Sequence, residues 1–184
     1  FYVLDALSPI RQMAPGPSTP AVHLFKPSDA VRRAYTANID FYLESVTETI
    51  RLEVLDGKGA LVRELRVRGS GVKAGLNRLR WDLRWPGATV FEGMILESSS
   101  PRNGPWAPPG QYAVRLTVGD QSWTQPLTVL KDPRLGQVSQ QDLEEQFTLA
   151  MKARDRVSAA NEAVILIRKL KTQMDDDRIT SEPE

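Results

Sequence analysis

Acidic side chains are the first residues in this sequence that could do chemistry, because glycoside hydrolysis uses two carboxylates placed roughly 5–10 Å apart. The chain offers Glu144-Glu145 and the run Asp175-Asp176-Asp177. The first pair stands near the start of a predicted helix, where the helix dipole favours acids. The second run lacks the glycine and the distal glutamate of a calcium loop. Both sets are typical of solvated helix surface, so no catalytic and no metal-binding residue is predicted.

Histidine and cysteine chemistry is limited by composition. His23 is the only histidine and there is no cysteine, which excludes histidine-cluster and cysteine-ligated zinc sites and thiol nucleophiles. A histidine-based triad would rest on His23 alone, and packing or surface exposure is the favoured interpretation of that side chain. The stretch GSGVKAG at residues 69–75 lacks the strand, helix and spacing of a phosphate-binding loop. We therefore predict no cofactor.

Tryptophans could stack on sugar rings or on bases. In GLNRLRWDLRWPG, residues 75–87, Trp81 and Trp85 alternate in phase with Leu79 and Leu83, which predicts a strand with these side chains on a buried face. Trp106 lies instead in the loop GPWAPP. It is the tryptophan that we expect to be exposed or at an interface, where it would contact a glycan or a protein partner.

Arginines form a second candidate surface, but acids interrupt the series and the net charge is only +1. Ion pairs between neighbouring strands explain such a pattern more simply than a nucleic-acid footprint, so no nucleic-acid partner is predicted. Of this series, three arginines remain candidate contacts for a ligand or partner together with Trp106: Arg78, Arg80 and Arg84. The whole series is Arg63, Arg66, Arg68, Arg78, Arg80 and Arg84, with Glu64 and Asp82 among them.

Length and composition predict one ordinary domain with appendages. The chain has 184 residues, of which 41% are hydrophobic and 26% charged, and no apolar run approaches the roughly 18 residues of a membrane span. The lack of cysteine fits either the cytoplasm or an envelope without disulfides, so composition leaves the compartment open. The sequence begins with Phe1, and we expect the chain to be a piece of something larger.

Alternation with a period of two predicts strands through the middle of the chain. Strands are expected at 39–43 and 50–54, at 60–67 after a hairpin turn at 56–59, at 79–85, at VFEGMIL (residues 90–96), and as a hairpin over 110–130 that turns at Gly119-Asp120. Pro126 within the last strand suits an edge or a bulge. The pattern predicts a meander of strands, each with one buried face.

Both ends of the chain differ from this middle. Residues 1–13 resemble a half-buried strand that runs into a Ser-Pro turn, and residues 14–38 are a proline-rich linker with one short strand. A helix is predicted over 139–174, capped by Ser139 with Asp142. Its apolar series, interrupted at Arg154 and Asn161, would require a partner helix or another chain along part of its length. The polar tail 175–184 is predicted to be frayed. The apolar series is Leu143, Phe147, Ala150, Val157, Val164 and Ile167.

The stretches GLNRLRWDLRWPG, PPGQYAVRLTV and QPLTVLKDPR, in this order, resemble the C-terminal region of bacterial BNR-repeat, sortilin-like proteins that are often described as glycosyl hydrolases. In that family a β-propeller ends in a segment similar to FYVLDALSPIRQ, and an immunoglobulin-like sandwich akin to that of the flagellar hook-capping protein follows. The positions that match the sandwich signature are Gly75, Asn77, Trp81, Asp82, Pro109, Gly110 and Tyr112. The resemblance covers nearly the whole chain.

The resemblance implies a mainly β protein: an immunoglobulin-like or fibronectin-type β-sandwich over residues 39–131 with one long C-terminal helix. No aspartate-box repeat occurs in the sequence, so no catalytic residue is carried over. The expected function is a non-catalytic accessory module of a propeller protein, which packs on the preceding propeller and associates with a partner or a second copy through the helix. The alternatives are a carbohydrate-binding module or a part of a hydrolase active site. The resemblance favours the bacterial periplasm or the extracellular space.

Overall fold

The computed structural model describes residues 7–13, 20–32, 36–46, 50–65, 71–96 and 100–181, with side chains up to residue 175. Within these ranges the protein is mostly β-sheet with one long C-terminal helix, which confirms the mainly β class. The chain divides into two compact units. The first comprises Phe1–Trp85 and Trp106–Glu144, and the second comprises Pro86–Pro105 and Glu145–Glu184.

Two larger sheets build the first unit. The three-stranded sheet is antiparallel and has the order β1 (Val22–Leu24), β3 (Ala37–Leu43), β6 (Gly75–Trp81). The five-stranded sheet has the order β2 (Ala30–Val31), β10 (Gln121–Leu130), β9 (Gly110–Val118), β4 (Ile50–Asp56), β5 (Leu61–Leu65). The pairing of β2 with β10 is parallel, and the other pairs of this sheet are antiparallel.

The core of the first unit follows from the alternation in the sequence. Inward side chains of both sheets belong to one buried apolar cluster, to which β3 contributes Ile39, Phe41 and Leu43. Trp81 is its largest fully buried side chain. The Trp81 indole N–H donates to the carbonyl oxygen of Arg84 at 3.0 Å, and the ring lies 5.3 Å from that of Tyr112. Burying this large aromatic with its polar atom satisfied makes Trp81 the anchor of the core.

Two predicted turns are confirmed. Asp56 accepts backbone hydrogen bonds from Lys58 and Ala60 at 2.9 and 2.8 Å, which closes the β4–β5 hairpin. At the β9–β10 hairpin, Gly119 has a φ of 57° and Asp120 is not among the residues with positive φ. A positive φ at only the first central residue is the signature of a type II′ turn, whose twist matches that of the flanking strands.

The predicted strand 79–85 is interrupted. β6 ends at Trp81, and β7 (Arg84–Pro86) then pairs with β8 (Asn103–Trp106) in a separate two-stranded sheet. The carboxylate of Asp82 accepts the backbone N–H of Arg84 at 3.1 Å, a local bond that favours a turn over an extended strand. Leu83 has a φ of 57° and is fully buried. The strain of this conformation persists because packing fixes the residue.

The N-terminal predictions need correction. Residues 1–6 and 14–19 lie outside the described ranges, but Ser8–Gln12 form the short helix α1 with a proline in its first turn, so the strand predicted over 1–13 is wrong there. The short strand expected in the linker is β1, and it pairs with β3. Together with β2, it makes residues 22–31 part of the sheets rather than a free linker.

The strand predicted at residues 90–96 is also wrong. These residues form no strand, Gly93 has a φ of 74°, and Ile95 is 89% exposed. Pro86–Pro105 belongs to the second unit with the long helix, so the expected sandwich 39–131 is not one continuous unit. In this segment the carbonyl oxygens of Pro86, Thr89 and Glu92 accept hydrogen bonds from side chains of the long helix.

The long helix α2 (Gln140–Ser181) begins where the sequence predicts. The Ser139 hydroxyl accepts the backbone N–H of Asp142 at 3.1 Å, and the Asp142 carboxylate accepts the backbone N–H of Ser139 at 2.8 Å. This reciprocal cap satisfies donors that a helix start leaves open. The helical backbone continues to Ser181, which corrects the predicted end at residue 174 and the frayed tail over 175–181.

Side-chain donors of α2 meet the carbonyl oxygens of the segment 86–92 at regular intervals. Arg154 donates to the carbonyl oxygen of Pro86 at 3.4 Å, Asn161 to that of Thr89 at 2.6 Å, and Arg168 to that of Glu92 at 2.9 Å. The donors are seven residues apart and the acceptors three. Seven helical residues rise about 10.5 Å and three extended residues span about 10 Å, so the two spacings match along the helix.

Candidate interaction surface

The four residues predicted as ligand or partner contacts fall into two places in the first unit. Arg78 and Arg80 are two residues apart on β6, so they share one face of the strand. Arg84 follows the break at Leu83 and lies in β7, near Trp106 in β8. The interruption of the strand removes the continuous arginine row that alternation predicted.

Arg78 is occupied by an ion pair. Its guanidinium donates to the two carboxylate oxygens of Asp40 at 2.6 and 3.0 Å, and only 8% of the Asp40 side chain is exposed. The hydrogen bond to Asp40 raises the pKa of Arg78 above its usual range. Asp40 lies on β3, directly opposite Arg78, so the cross-strand ion pair predicted from the sequence is confirmed here.

Two further arginines on the sheets behave similarly. Arg115 on β9 donates to Glu53 on β4 at 2.8 Å, and this hydrogen bond raises the pKa of Arg115. Arg63 pairs with Asp82 at 2.9 Å. The buried carboxylates Asp40 and Glu53 each have an arginine partner, a pairing that offsets the cost of burying their charges.

Arg80 differs from these arginines. Its side chain is exposed and makes no hydrogen bond or ion pair within the described part of the chain. Because Arg78 is paired with Asp40, Arg80 is the arginine of β6 whose charge is directed to solvent. One such side chain is a weak ligand site, because an exposed charge is well screened by water and salt.

Trp106 is half-buried and packs against the apolar core. The guanidinium carbon of Arg84 lies 3.8 Å from the centre of its ring, within the range of a cation–π contact. A sugar or a base would need that ring face. The structure therefore brings two of the predicted contact residues together, but Arg84 and Trp106 contact each other instead of a ligand.

The remaining tryptophans are engaged in packing. Trp81 is fully buried, and Trp85 and Trp123 are half-buried against the core. Burial is the main reason why the pKa of Tyr112 is raised to about 12, and the indole of Trp85 opposes that rise. The predicted burial of Trp81 and Trp85 is confirmed, fully for Trp81 and partly for Trp85.

His23 packs against a neighbouring aromatic ring, and the described acids of the candidate sets are exposed on the long helix. The ring of His23 packs edge-on against that of Phe25, with 4.6 Å between the centroids. Glu144 and Glu145 are exposed on α2, as is Asp175. Within the described ranges, no group of three or more histidine, aspartate or glutamate side chains is arranged to hold a metal ion.

Shallow cavities lie among the described residues of the first unit. One, of about 290 Å³, lies between α1 and the strands β3 and β6 and is mainly apolar. Another, of about 230 Å³, has a mixed lining that includes the polar side chains of Lys26, Asp29 and Asn38. The side-chain oxygen of Asn38 is buried and accepts no hydrogen bond from the described part of the protein, which suits a site for ordered water.

The exposed apolar side chains on α2 overlap only in part with the apolar series predicted from the sequence. Val157 and Ile167 belong to that series, part of which was expected to need a partner, and they are 40% and 65% exposed. The interrupting residue Asn161 is instead the buried one, at 7% exposure. Hydrogen bonding to a backbone carbonyl, rather than apolar character, decides which side of this helix is covered.

We define the α2 stripe as the exposed side chains on the opposite side of the helix. Leu166, Ile167, Leu170 and Met174 are 56, 65, 50 and 66% exposed. Leu170 follows Asn161 by nine residues, which at about 100° per residue puts the two side chains on opposite sides of the helix. The stripe is completed toward the helix start by two exposed alanines, Ala160 and Ala163.

Comparison with known proteins identifies no relative. No family model matches the chain, and neither a curated protein nor a solved structure matches it. A search for apolar helices of spanning length, made over the described residues, finds none that could cross a membrane.

Proposed function

We propose that this chain is a non-catalytic accessory module of a larger bacterial BNR-repeat propeller protein. In this proposal an immunoglobulin-like sandwich packs on the preceding propeller, and α2 associates with a protein partner. The periplasm or the extracellular space is the proposed compartment. The exposed α2 stripe carries the proposal, because a contiguous apolar helix face in water is the kind of surface that proteins bury against partners.

Strand order supports the immunoglobulin-like part of the proposal. Immunoglobulin sandwiches place strands A, B and E in one sheet and strands C, F and G in the other, and variable-type domains add C′ next to C. The order β1-β3-β6 corresponds to A-B-E, and the order β10-β9-β4-β5 corresponds to G-F-C-C′. In this alignment the segment 86–105 is an insertion between strands E and F.

Tyr112 supports the same alignment. It stands near the start of β9, the strand that corresponds to F, and its hydroxyl donates to the carbonyl oxygen of Pro108 at 2.9 Å. A tyrosine at this place with a bond to a backbone carbonyl a few residues upstream is a feature of immunoglobulin-type sandwiches known as the tyrosine corner.

The carbohydrate-binding alternative depends on Trp106, because the sequence pattern does not place this tryptophan on the buried face of a strand. Sugar-binding platforms require an open aromatic face. Contact with Arg84 at 3.8 Å and packing against the core weigh against this function. Displacing Arg84 would be the first step of any stacking on this ring.

The test uses the chain of residues 1–184. We expect no saturable binding on a glycan array and no turnover of generic glycoside or sialoside substrates. Saturable glycan binding that Trp106→Ala abolishes, in a variant with unchanged thermal unfolding, would establish the alternative. Turnover by this chain would overturn the non-catalytic proposal.

A second experiment tests the propeller partner. The parent reading frame is expected to encode aspartate-box repeats upstream of Phe1, and the upstream domain expressed as a separate chain should form a stoichiometric complex with residues 1–184. An unrelated upstream domain, or two chains that do not associate, would contradict the accessory role.

A further inference from the structure

The occupant of the α2 stripe can be deduced from the sizes of its side chains. Exposed residues at 160, 163, 167, 170 and 174 follow the alternating three- and four-residue spacing of a coiled-coil seam. The first two are alanines, whereas the last three are Ile167, Leu170 and Met174. One half of the stripe is small and the other half is large.

We propose that the α2 stripe binds the same stripe of a second copy of this chain, with the two helices antiparallel and the two-fold axis near residue 165. This inference rests on the proposed role of α2 in association and names its partner. In this register Ala163 faces Ile167 of the other copy, and Ala160 faces its Leu170. These two layers each pair a small side chain with a large one, which is how closely packed helices fill space.

Leu166 supports this register. It is 56% exposed and lies within about one helical rise of the two-fold axis, so the two copies of Leu166 meet each other. An isologous interface requires such a self-complementary contact at its axis.

Charge supports the same direction. Arg156 is exposed at one end of the stripe, and Asp175 is exposed at its other end. Antiparallel pairing places Arg156 of one copy in the layer of Met174, beside Asp175 of the other copy. The two ends of the interface then carry opposite charges that attract.

A parallel pair would lose both advantages. Alanines would face alanines over the first half of the stripe and leave a gap there. The two copies of Asp175 would also lie side by side and repel. The antiparallel arrangement is therefore the one that both packing and charge favour.

The helix side that holds the segment 86–92 does not interfere with this pairing. Arg154, Asn161 and Arg168 bind that segment on their own side of α2. Because Leu170 lies on the side opposite Asn161, the second copy can approach without displacing these hydrogen bonds.

Cysteine cross-linking tests the register, since the natural chain contains no cysteine. Under mild oxidation Leu166→Cys should form a covalent dimer. Met174→Cys alone should not, because its two copies would lie about 27 Å apart along the helices. A mixture of Met174→Cys and Arg156→Cys should cross-link to each other. Self-cross-linking of Met174→Cys as readily as of Leu166→Cys would indicate a parallel pair and overturn the proposal.

Sedimentation equilibrium tests the association itself. The natural chain should show a concentration-dependent dimer, and Ile167→Glu should weaken it at least tenfold. Lys169→Glu, an exposed change off the stripe, is the matched control and should leave it unchanged. Circular dichroism of each variant checks that α2 remains helical.

The two proposals fail separately. A natural chain that is monomeric at every concentration overturns the pairing and leaves the accessory role to other partners. Glycoside turnover, by contrast, overturns the non-catalytic module and leaves the pairing intact.

Discussion

The two units of this protein are held together by different forces. The first unit has a buried apolar cluster, with Trp81 and Phe41 as its largest fully buried members. No residue of that cluster comes from Pro86–Pro105 or from the described part of Glu145–Glu184. The second unit relies on helix side chains that donate to backbone carbonyl oxygens, with Asn161 as the buried example.

This difference predicts how the units respond to stress. A fully buried large side chain stabilises a fold by several kcal/mol, whereas a typical hydrogen bond contributes about 1 kcal/mol net because water competes for both partners. The contacts between the segment 86–92 and α2 should therefore open at lower free energy than the sheets of the first unit.

The largest expected effect comes from removing the core anchor. Trp81→Ala should lower the free energy of unfolding by about 3–5 kcal/mol, because it leaves a cavity and removes dispersion contacts. Urea denaturation followed by circular dichroism measures this loss. Trp123→Ala, at a half-buried position of β10, is the control and should cost clearly less. Equal losses would mean that Trp81 has no special place in the core.

Alkaline pH offers a second measure of the first unit. The folded state holds the pKa of Tyr112 at about 12, above its ordinary value of 10.0. Because the pKa of Tyr112 is higher in the folded state, its contribution to the free energy of unfolding is fully present below pH 10. That contribution is lost as the pH rises to about 12. The loss should be roughly 2–3 kcal/mol.

Tyr112→Phe provides the comparison. It should abolish that pH dependence and, at neutral pH, cost about 1 kcal/mol for the lost hydrogen bond to Pro108. A natural chain whose unfolding free energy has the same slope as that of Tyr112→Phe between pH 10 and 12 would contradict the burial of this hydroxyl.

A smaller and more local effect is expected in the second unit. Asn161→Leu keeps a similar volume but leaves the carbonyl oxygen of Thr89 without its donor, at a cost of about 1–3 kcal/mol. Hydrogen exchange should accelerate in the segment 86–93 and in the neighbouring turns of α2. Amides of β3 and β9 should keep their protection. Equal acceleration in those strands would show that the two units unfold together.

The smallest effect concerns the start of α2. Hydrogen bonds from Ser139 lower the pKa of Asp142 below its ordinary value of 3.8. Because the folded pKa is depressed, the cap stabilises the helix above that value and is lost as the pH falls through the folded pKa. Ser139→Ala removes the hydroxyl hydrogen bond but keeps the backbone N–H as a donor, so it should weaken this dependence, and the amide chemical shifts of the first helical turn report the change. A helix start that titrates identically in both proteins would argue against the cap.

Local signals in the sequence predicted much of the first unit. The alternation of Ile39, Phe41 and Leu43 is enough to predict β3 and its buried face, since side chains of a strand alternate between its two sides. The turn at Gly119-Asp120 and the cap at Ser139 are equally local. The candidate contacts Arg78 and Trp106 were predicted by residue type, but their partners Asp40 and Arg84 determine whether they are available to a ligand.

Tertiary structure alone decided the features that depend on distant partners. The break at Leu83 requires a core that tolerates a positive φ. The loop at 90–96 has the apolar composition of a strand, but the carbonyl oxygen of its Glu92 accepts a hydrogen bond from a helix side chain. The sequence by itself determined the β-rich class, the hairpin turns and the start of α2, because each depends on neighbours in the chain. Which side of α2 is covered depended on Thr89, which lies 72 residues from its donor Asn161, and a backbone acceptor at that distance leaves no pattern in the amino-acid sequence.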